Sequence, residues 1–188
     1  MRLFVALDIP EDVRVRVAAL VAKLRPACPN ARWVRIEGIH VTLKFIGESP
    51  PEQAEAIKRG LASIPSRSPI PIKFRGLGFF PNERRPRVLW AGIEAGPELA
   101  LLASAIDAAL LPLGIAREER AFSPHLTLSR FDAPRGLETL RAALGEAGLA
   151  EFGGATANEF HLYQSVLKRG GAEYTRLATF SFAGSTPE

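Results

Sequence analysis

The sequence predicts an α+β fold of two lobes, each an antiparallel sheet with helices on its outer face, closing on a cleft between them. Three observations predict it. The segment His40-Val41-Thr42-Leu43 returns as His125-Leu126-Thr127-Leu128. Strand-like and helix-like apolar periods alternate along the chain, and the alternation starts afresh near Pro97. No low-complexity stretch divides the halves, so residues 1–188 read as a single domain of two intertwined lobes.

Arg2 to Asp8 is an apolar strand, and Pro10 opens a helix in which Val13, Val17, Leu20, Val21 and Leu24 form one stripe before Pro26 and Pro29 stop it. Residues 32–36 and 39–46 read as two strands, the second carrying the first motif. Ser49, Pro50 and Glu52 predict an N-cap, a first-turn proline and a capping-box partner for a helix with Ala54, Ile57, Leu61 and Ile64 inward. Ile70 to Phe80 and Arg87 to Ile93 read as paired strands around the basic turn Pro81-Asn82-Glu83-Arg84-Arg85-Pro86. Pro97 to Leu111 is a helix and Ser123 to Phe131 the second motif strand. A helix over 134–148 and strands over 156–167 and 174–182, joined at Gly170-Gly171, complete the chain.

Composition bounds the function. The 188 residues are 47% hydrophobic and 23% charged, enough to bury a sizeable core. A net charge of +4 suits a phosphorylated or polyanionic ligand and is too mild to establish nucleic-acid binding. Cys28 is the sole cysteine, which excludes an internal disulfide. There is no long apolar run and no signal-peptide pattern, so no membrane partner is expected and a cytoplasmic location is the default.

The repeated motif locates the chemistry. Side chains alternate faces along a strand, so His40 and Thr42 point one way while Val41 and Leu43 point the other, and the second copy repeats this. Two imidazoles with ordinary pKa near ~6.5 can divide a proton transfer between them, one accepting and one donating. Two hydroxyls beside them can donate to phosphate oxygens. A single His-x-Thr is what any half-buried strand can carry; two apolar-flanked copies point to a shared site.

Other chemistries lack their parts. No Gly-x-Ser-x-Gly elbow occurs, and nothing marks Cys28 as activated. Two His-x-Thr units offer no third strong ligand, so neither metal nor cofactor is expected. Gly76-Leu77-Gly78 is too short for a phosphate loop. A nucleotide- or RNA-binding module without turnover stands as the alternative from another class.

The run Arg32-Trp33-Val34-Arg35 before His40-Val41-Thr42-Leu43-Lys44-Phe45-Ile46-Gly47, with Arg87-Val88-Leu89-Trp90-Ala91-Gly92, Pro124-His125-Leu126-Thr127-Leu128-Ser129-Arg130 and Leu162-Tyr163-Gln164-Ser165, resembles the RNA 2′,3′-cyclic phosphodiesterases of the 2H phosphoesterase superfamily, also called 2′-5′ RNA ligases. The resemblance spans essentially the whole chain. It implies metal-free opening of a 2′,3′-cyclic phosphate to a 2′-phosphomonoester, with His40 as general acid and His125 as general base, roles that the pseudo-symmetry leaves interchangeable on sequence grounds, and Thr42 and Thr127 on the non-bridging oxygens. The implied partner is an RNA end bearing a cyclic phosphate, tRNA fragments and small cyclic nucleotides included, acted on by a monomer. Reversal of the reaction would join that end to a 5′-hydroxyl.

The resemblance also puts Arg130 on the phosphate. Strict alternation instead sets Arg130 with Leu126 and Leu128 unless the strand bends or bulges at Ser129. Lys44 shares the parity of His40 and reads as a solvated lysine beyond the cleft. Tyr163 and Trp33 are candidates to stack on a base or ribose, with core packing as the alternative. Arg84 to Arg87 and Lys168-Arg169 read either as an entrance funnel for an RNA backbone or as solvated loops. His161, outside both copies, reads as structural.

Overall fold

The computed structural model describes residues 1–132, 137–147, 149–169 and 171–183. In chain order the elements are β1 (Arg2–Leu7), α1 (Glu11–Leu24), β2 (Arg32–Trp33), β3 (Val41–Glu48), α2 (Ala54–Ala62), β4 (Ile70–Phe80), β5 (Val88–Ala95), α3 (Pro97–Leu110), β6 (His125–Arg130), α4 (Glu138–Ala147), β7 (Glu151–Ala157), β8 (Glu159–Lys168) and β9 (Gly171–Ser181). They build two antiparallel sheets, one in the order β3-β1-β8-β9 and the other β2-β6-β5-β4-β7.

Removing the two-residue β2 leaves the same four-strand plan twice. β3 corresponds to β6, β1 to β5, β8 to β4 and β9 to β7, so each motif strand runs beside an equivalent central strand. β1 reads as an unbroken apolar run because every residue after Arg2 is buried. The helices cross between the lobes. α1 leaves β1 of the first sheet yet packs on β7 of the second, while α3 leaves β5 of the second and packs on β3 of the first, with α2 against α3. Val13, Val17, Val21 and Leu24 are the buried stripe of α1, at the spacing a helix needs for one apolar face.

Several elements depart from the sequence reading. The stretch over 32–36 is a strand only at Arg32 and Trp33, with the Val34 N–H donating to the Leu128 carbonyl at 3.0 Å, and Ile36–Gly38 turns as a 3₁₀ helix, while β3 begins one residue after His40. Ser49 is buried and is no helix cap: its N–H donates to the Met1 carbonyl at 2.8 Å and its own carbonyl accepts from the Met1 ammonium at 2.6 Å. The 3₁₀ turn Pro51–Gln53 and α2 follow with Pro50 and Gln53 at their N-caps and no side-chain cap. The expectation of one strand over 156–167 lacks β7; its Gly153-Gly154 carries no apolar alternation, and the strand exists through its pairing with β4. Of the helix expected over 134–148, residues 134–136 and 148 lie outside the described residues, as does Gly170 of the expected turn.

Candidate active site

The two motif histidines are held alike. The Nδ1 of His40 donates to the carbonyl of Gly38 at 2.6 Å, and the Nδ1 of His125 donates to the carbonyl of Ser123 at 2.8 Å, in each case two residues upstream. A carbonyl can only accept, so each bond puts a proton on Nδ1 and leaves Nε2 as the nitrogen that gains or loses one. The rings are also braced. His40 stacks on Phe4 with centroids 4.6 Å apart and meets Tyr174 edge-on at 5.2 Å; His125 meets Phe80 edge-on at 4.9 Å.

Burial pushes both imidazoles below their ordinary pKa of 6.5. At His40 the Gly38 carbonyl and Asp8 oppose this, while Arg14 and His125 add to it. At His125 the Ser123 carbonyl opposes it and Arg130 adds to it. The charge of His125 is thus felt at His40.

The bulge that alternation required is present, one residue earlier than expected. Between β5 and β6 the register passes from Leu89 opposite Ser129 to Trp90 opposite Thr127, leaving Leu128 as the extra residue. Leu128 and Ser129 are consequently both buried and Arg130 emerges exposed. The first copy bulges at the equivalent place: Val5 pairs with Lys44 and Ala6 with Thr42, so Leu43 is extra. Its parity shift buries Lys44 and exposes Phe45, which thereby stands where Arg130 stands in the second copy.

Lys44 is therefore not a solvated lysine. It is 5% exposed, with its Nζ 2.7 Å from Asp107 Oδ1 of α3 and donating to the Ala116 carbonyl at 2.6 Å. Asp107 Oδ2 in turn accepts from the Glu118 backbone N–H at 3.2 Å. The ion pair ties the first motif strand to α3, and the bonds to Ala116 and Glu118 tie both to the loop that leads into the second.

A cavity of about 1030 Å³ is lined by parts of both copies, Thr42 and Lys44 from the first and His125 and Arg130 from the second, together with Phe80 and Arg87. His40 and Thr127 do not line it. Thr127 follows His125 on the outward positions of β6, and Thr42 lies opposite Ala6 of β1. Tyr163 is brought beside His40, its ring 6.5 Å away and stacked at 5.3 Å on Phe4. Its hydroxyl donates to Asp8 at 2.5 Å, and burial with that carboxylate pushes its pKa up to about 12. Trp33 is not brought to the cavity. It pairs with Ser129 at the sheet edge, packs against the core and donates its Nε1 to the Cys28 carbonyl at 3.0 Å.

The other expectations divide. Of the basic turn, Arg87 reaches the cavity wall and donates to the Asp132 carbonyl, whereas the backbones of Arg84 and Arg85 are held by Asn82. Lys168 is engaged with Glu173 at 2.7 Å. His161 is buried, sharing a hydrogen bond with Thr179 at 3.0 Å and lying 3.4 Å from Glu159. Among the described residues no group of three or more His, Cys, Asp or Glu side chains could hold a metal ion, and no helix is long and apolar enough to cross a membrane.

Sequence reasoning missed Phe4, Tyr174, Phe80 and Asp8 as neighbours of the histidines. Asp8 carried a faint signal as the first acidic residue after an apolar strand. The aromatics carried none, because their positions depend on which strands pair.

Known proteins have the same plan. The family model described as LigT like Phosphoesterase matches residues 7–90 and again 93–174, one match to each half. The RNA 2′,3′-cyclic phosphodiesterase of Methanothermobacter thermautotrophicus is 33% identical over 183 residues, 96% of this chain and 98% of that protein. The RNA 2′,3′-cyclic phosphodiesterase of Aeropyrum pernix is 38% identical over 170 residues, 88% of this chain and 96% of that protein. Among solved structures, TT0787 of Thermus thermophilus superposes with a TM-score of 0.80 at 32% identity, covering 99% of this chain and all of that one. Escherichia coli LigT complexed with 3′-AMP superposes with a TM-score of 0.79 at 28% identity, covering 97% and 98%. A fold built twice from the same four-strand plan, matched in each half by one family model, makes the chain a member of the LigT-like phosphoesterases of the 2H superfamily.

Proposed function

We propose that the chain is an enzyme that hydrolyses RNA 2′,3′-cyclic phosphate ends to 2′-phosphomonoesters without a metal. One observation carries the reading: two histidines, one from each copy of the motif, each have Nδ1 tied to a carbonyl two residues upstream and Nε2 left free, and the charge of His125 is felt at His40. In the reaction, the Nε2 of neutral His125 takes a proton from water as the water oxygen attacks phosphorus. The bond from phosphorus to the 3′-oxygen breaks, and protonated His40 gives its Nε2 proton to that oxygen. The product carries a 2′-phosphate and a 3′-hydroxyl, and the two imidazoles recover their protonation by exchange with solvent.

The charges around the rings support this order of roles. Burial lowers both imidazoles, but Asp8 opposes it at His40, the acid, more than either Arg14 or His125 adds to it there, whereas at His125, the base, the side-chain charge of Arg130 adds to it. Thr42 and Thr127 donate to the non-bridging oxygens, and the Arg130 guanidinium meets the charge that gathers there. Tyr163 contacts the ribose or base on the His40 side. Run backwards with a 5′-hydroxyl in place of water, the same steps make a 2′-5′ bond, and the abundance of water sets the direction. A cytoplasmic monomer acting as one folding unit on RNA or small cyclic nucleotides belongs to the same reading.

The test is product analysis with an oligonucleotide ending in a 2′,3′-cyclic phosphate. Phosphorus NMR should show the 2′-phosphate almost alone, and EDTA should leave the rate unchanged. A predominant 3′-phosphate would overturn the assignment of roles, loss of activity on chelation would overturn the metal-free scheme, and binding without turnover would leave only a binding module.

A further inference from the structure

The cavity beside His125 holds more positive charge than the reaction needs. Its lining residues include Arg87, Arg120 and Arg130 and one acidic residue outside an ion pair, Glu118; Lys44 and Asp107 neutralise each other. Three cations against one anion leave a surplus of two. A cyclic phosphate diester carries a single negative charge, so one positive charge remains to be met. The volume points the same way. At about 1030 Å³ the cavity stands at the upper end of the ~300–1,000 Å³ range of small-molecule sites, roomier than one nucleoside cyclic phosphate requires.

Arg120 is the cation left over. Arg130 is engaged electrostatically with His125, and Arg87 gives one Nη to the Asp132 carbonyl. Arg120 has no hydrogen-bond or ion-pair partner among the described residues, yet the segment that carries it is fixed on both sides. Upstream, the Ala116 carbonyl is bound by Lys44 and the Glu118 N–H by Asp107; downstream, the Ser123 carbonyl is bound by His125. The loop is thus clamped to both motif strands, and Arg120 stands at the wall between the clamps.

We propose that Arg120, with Arg87, forms a second phosphate subsite that takes the 5′-phosphate of the terminal nucleotide, the next phosphodiester along an RNA chain. This rests on the proposed hydrolysis at the neighbouring histidines. The preferred substrate is then a chain of two or more nucleotides or a 5′-phosphorylated cyclic nucleotide, and a bare nucleoside cyclic phosphate engages only half of the site.

The test compares a nucleoside 2′,3′-cyclic phosphate with the same compound bearing a 5′-phosphate. The native protein should prefer the second by about tenfold in kcat/KM, the scale of a charge-assisted phosphate contact, and the preference should shrink as salt is added. Arg120→Ala should bring the ratio to near one, Arg120→Lys should keep part of it, and Glu118→Gln should raise it. A ratio near one in the native protein, or a full preference retained in Arg120→Ala, would overturn the subsite. Calorimetric binding of a nucleoside 3′,5′-bisphosphate against a nucleoside 3′-monophosphate reads the same ratio without turnover. Absence of hydrolysis would therefore sink the catalytic reading while the binding ratio still decided the subsite.

Discussion

Arg130 shares a cavity wall with His125 because Leu128, between them, is bulged out of register with β5. Without that extra residue the guanidinium would lie with Leu126 and Leu128 on the buried side, where an unpaired charge is prohibitive. The bulge thus brings a cation to His125, where it adds to burial in lowering the pKa of the imidazole.

Replacing Arg130 tests both effects at once. Arg130→Ala should lower kcat by on the order of 10²-fold, as loss of a donor to developing charge does elsewhere. It should also release His125 from a neighbouring positive charge and move the acid limb of the rate profile to higher pH. An unchanged limb would detach Arg130 from His125.

Each motif histidine should be separately required. His40→Ala and His125→Ala should each cost about 10²-fold or more in kcat while circular dichroism shows the fold retained. The double mutant should lose little beyond the worse single one, since the two act as a unit. Turnover near the native level in either single mutant would remove that residue from the mechanism.

The pH dependence of kcat/KM should be bell-shaped with its maximum on the acid side of neutrality. The rate falls with decreasing pH as the base becomes protonated and with increasing pH as the acid loses its proton. Burial lowers both groups from 6.5, so both limbs move down together. Asp8→Asn removes an influence that raises His40 and should pull the alkaline limb lower still. An alkaline limb that stays put in Asp8→Asn, followed by initial rates across pH, would contradict the electrostatic account.

Lys44 should matter to stability through Asp107. Lys44→Met leaves that carboxylate uncompensated in a setting where its side chain is 18% exposed, and breaking such a pair costs about 3–5 kcal/mol. The double change Lys44→Met with Asp107→Leu should recover most of the loss in thermal unfolding. A single mutant as stable as the native protein would show that water already screens the pair.

Much of this was legible in the residues themselves. The repeated His-x-Thr-Leu named the histidines and threonines, and apolar periods located β1, α1, β4, α3 and the two motif strands, because a chain that buries one face must repeat its apolar side chains at the period of its backbone. Tertiary structure decided what those periods leave free. A bulge is a property of two paired strands, so neither the burial of Lys44 nor the exposure of Arg130 follows from one strand's pattern. β7 exists because β4 offers it an edge, and Ser49 is bonded to Met1 because β3 ends beside the start of β1. The sequence singled out the groups proposed to do the chemistry; pairing between distant strands decided which way each points and which charges surround it, since direction and electrostatic environment are set by neighbours in space.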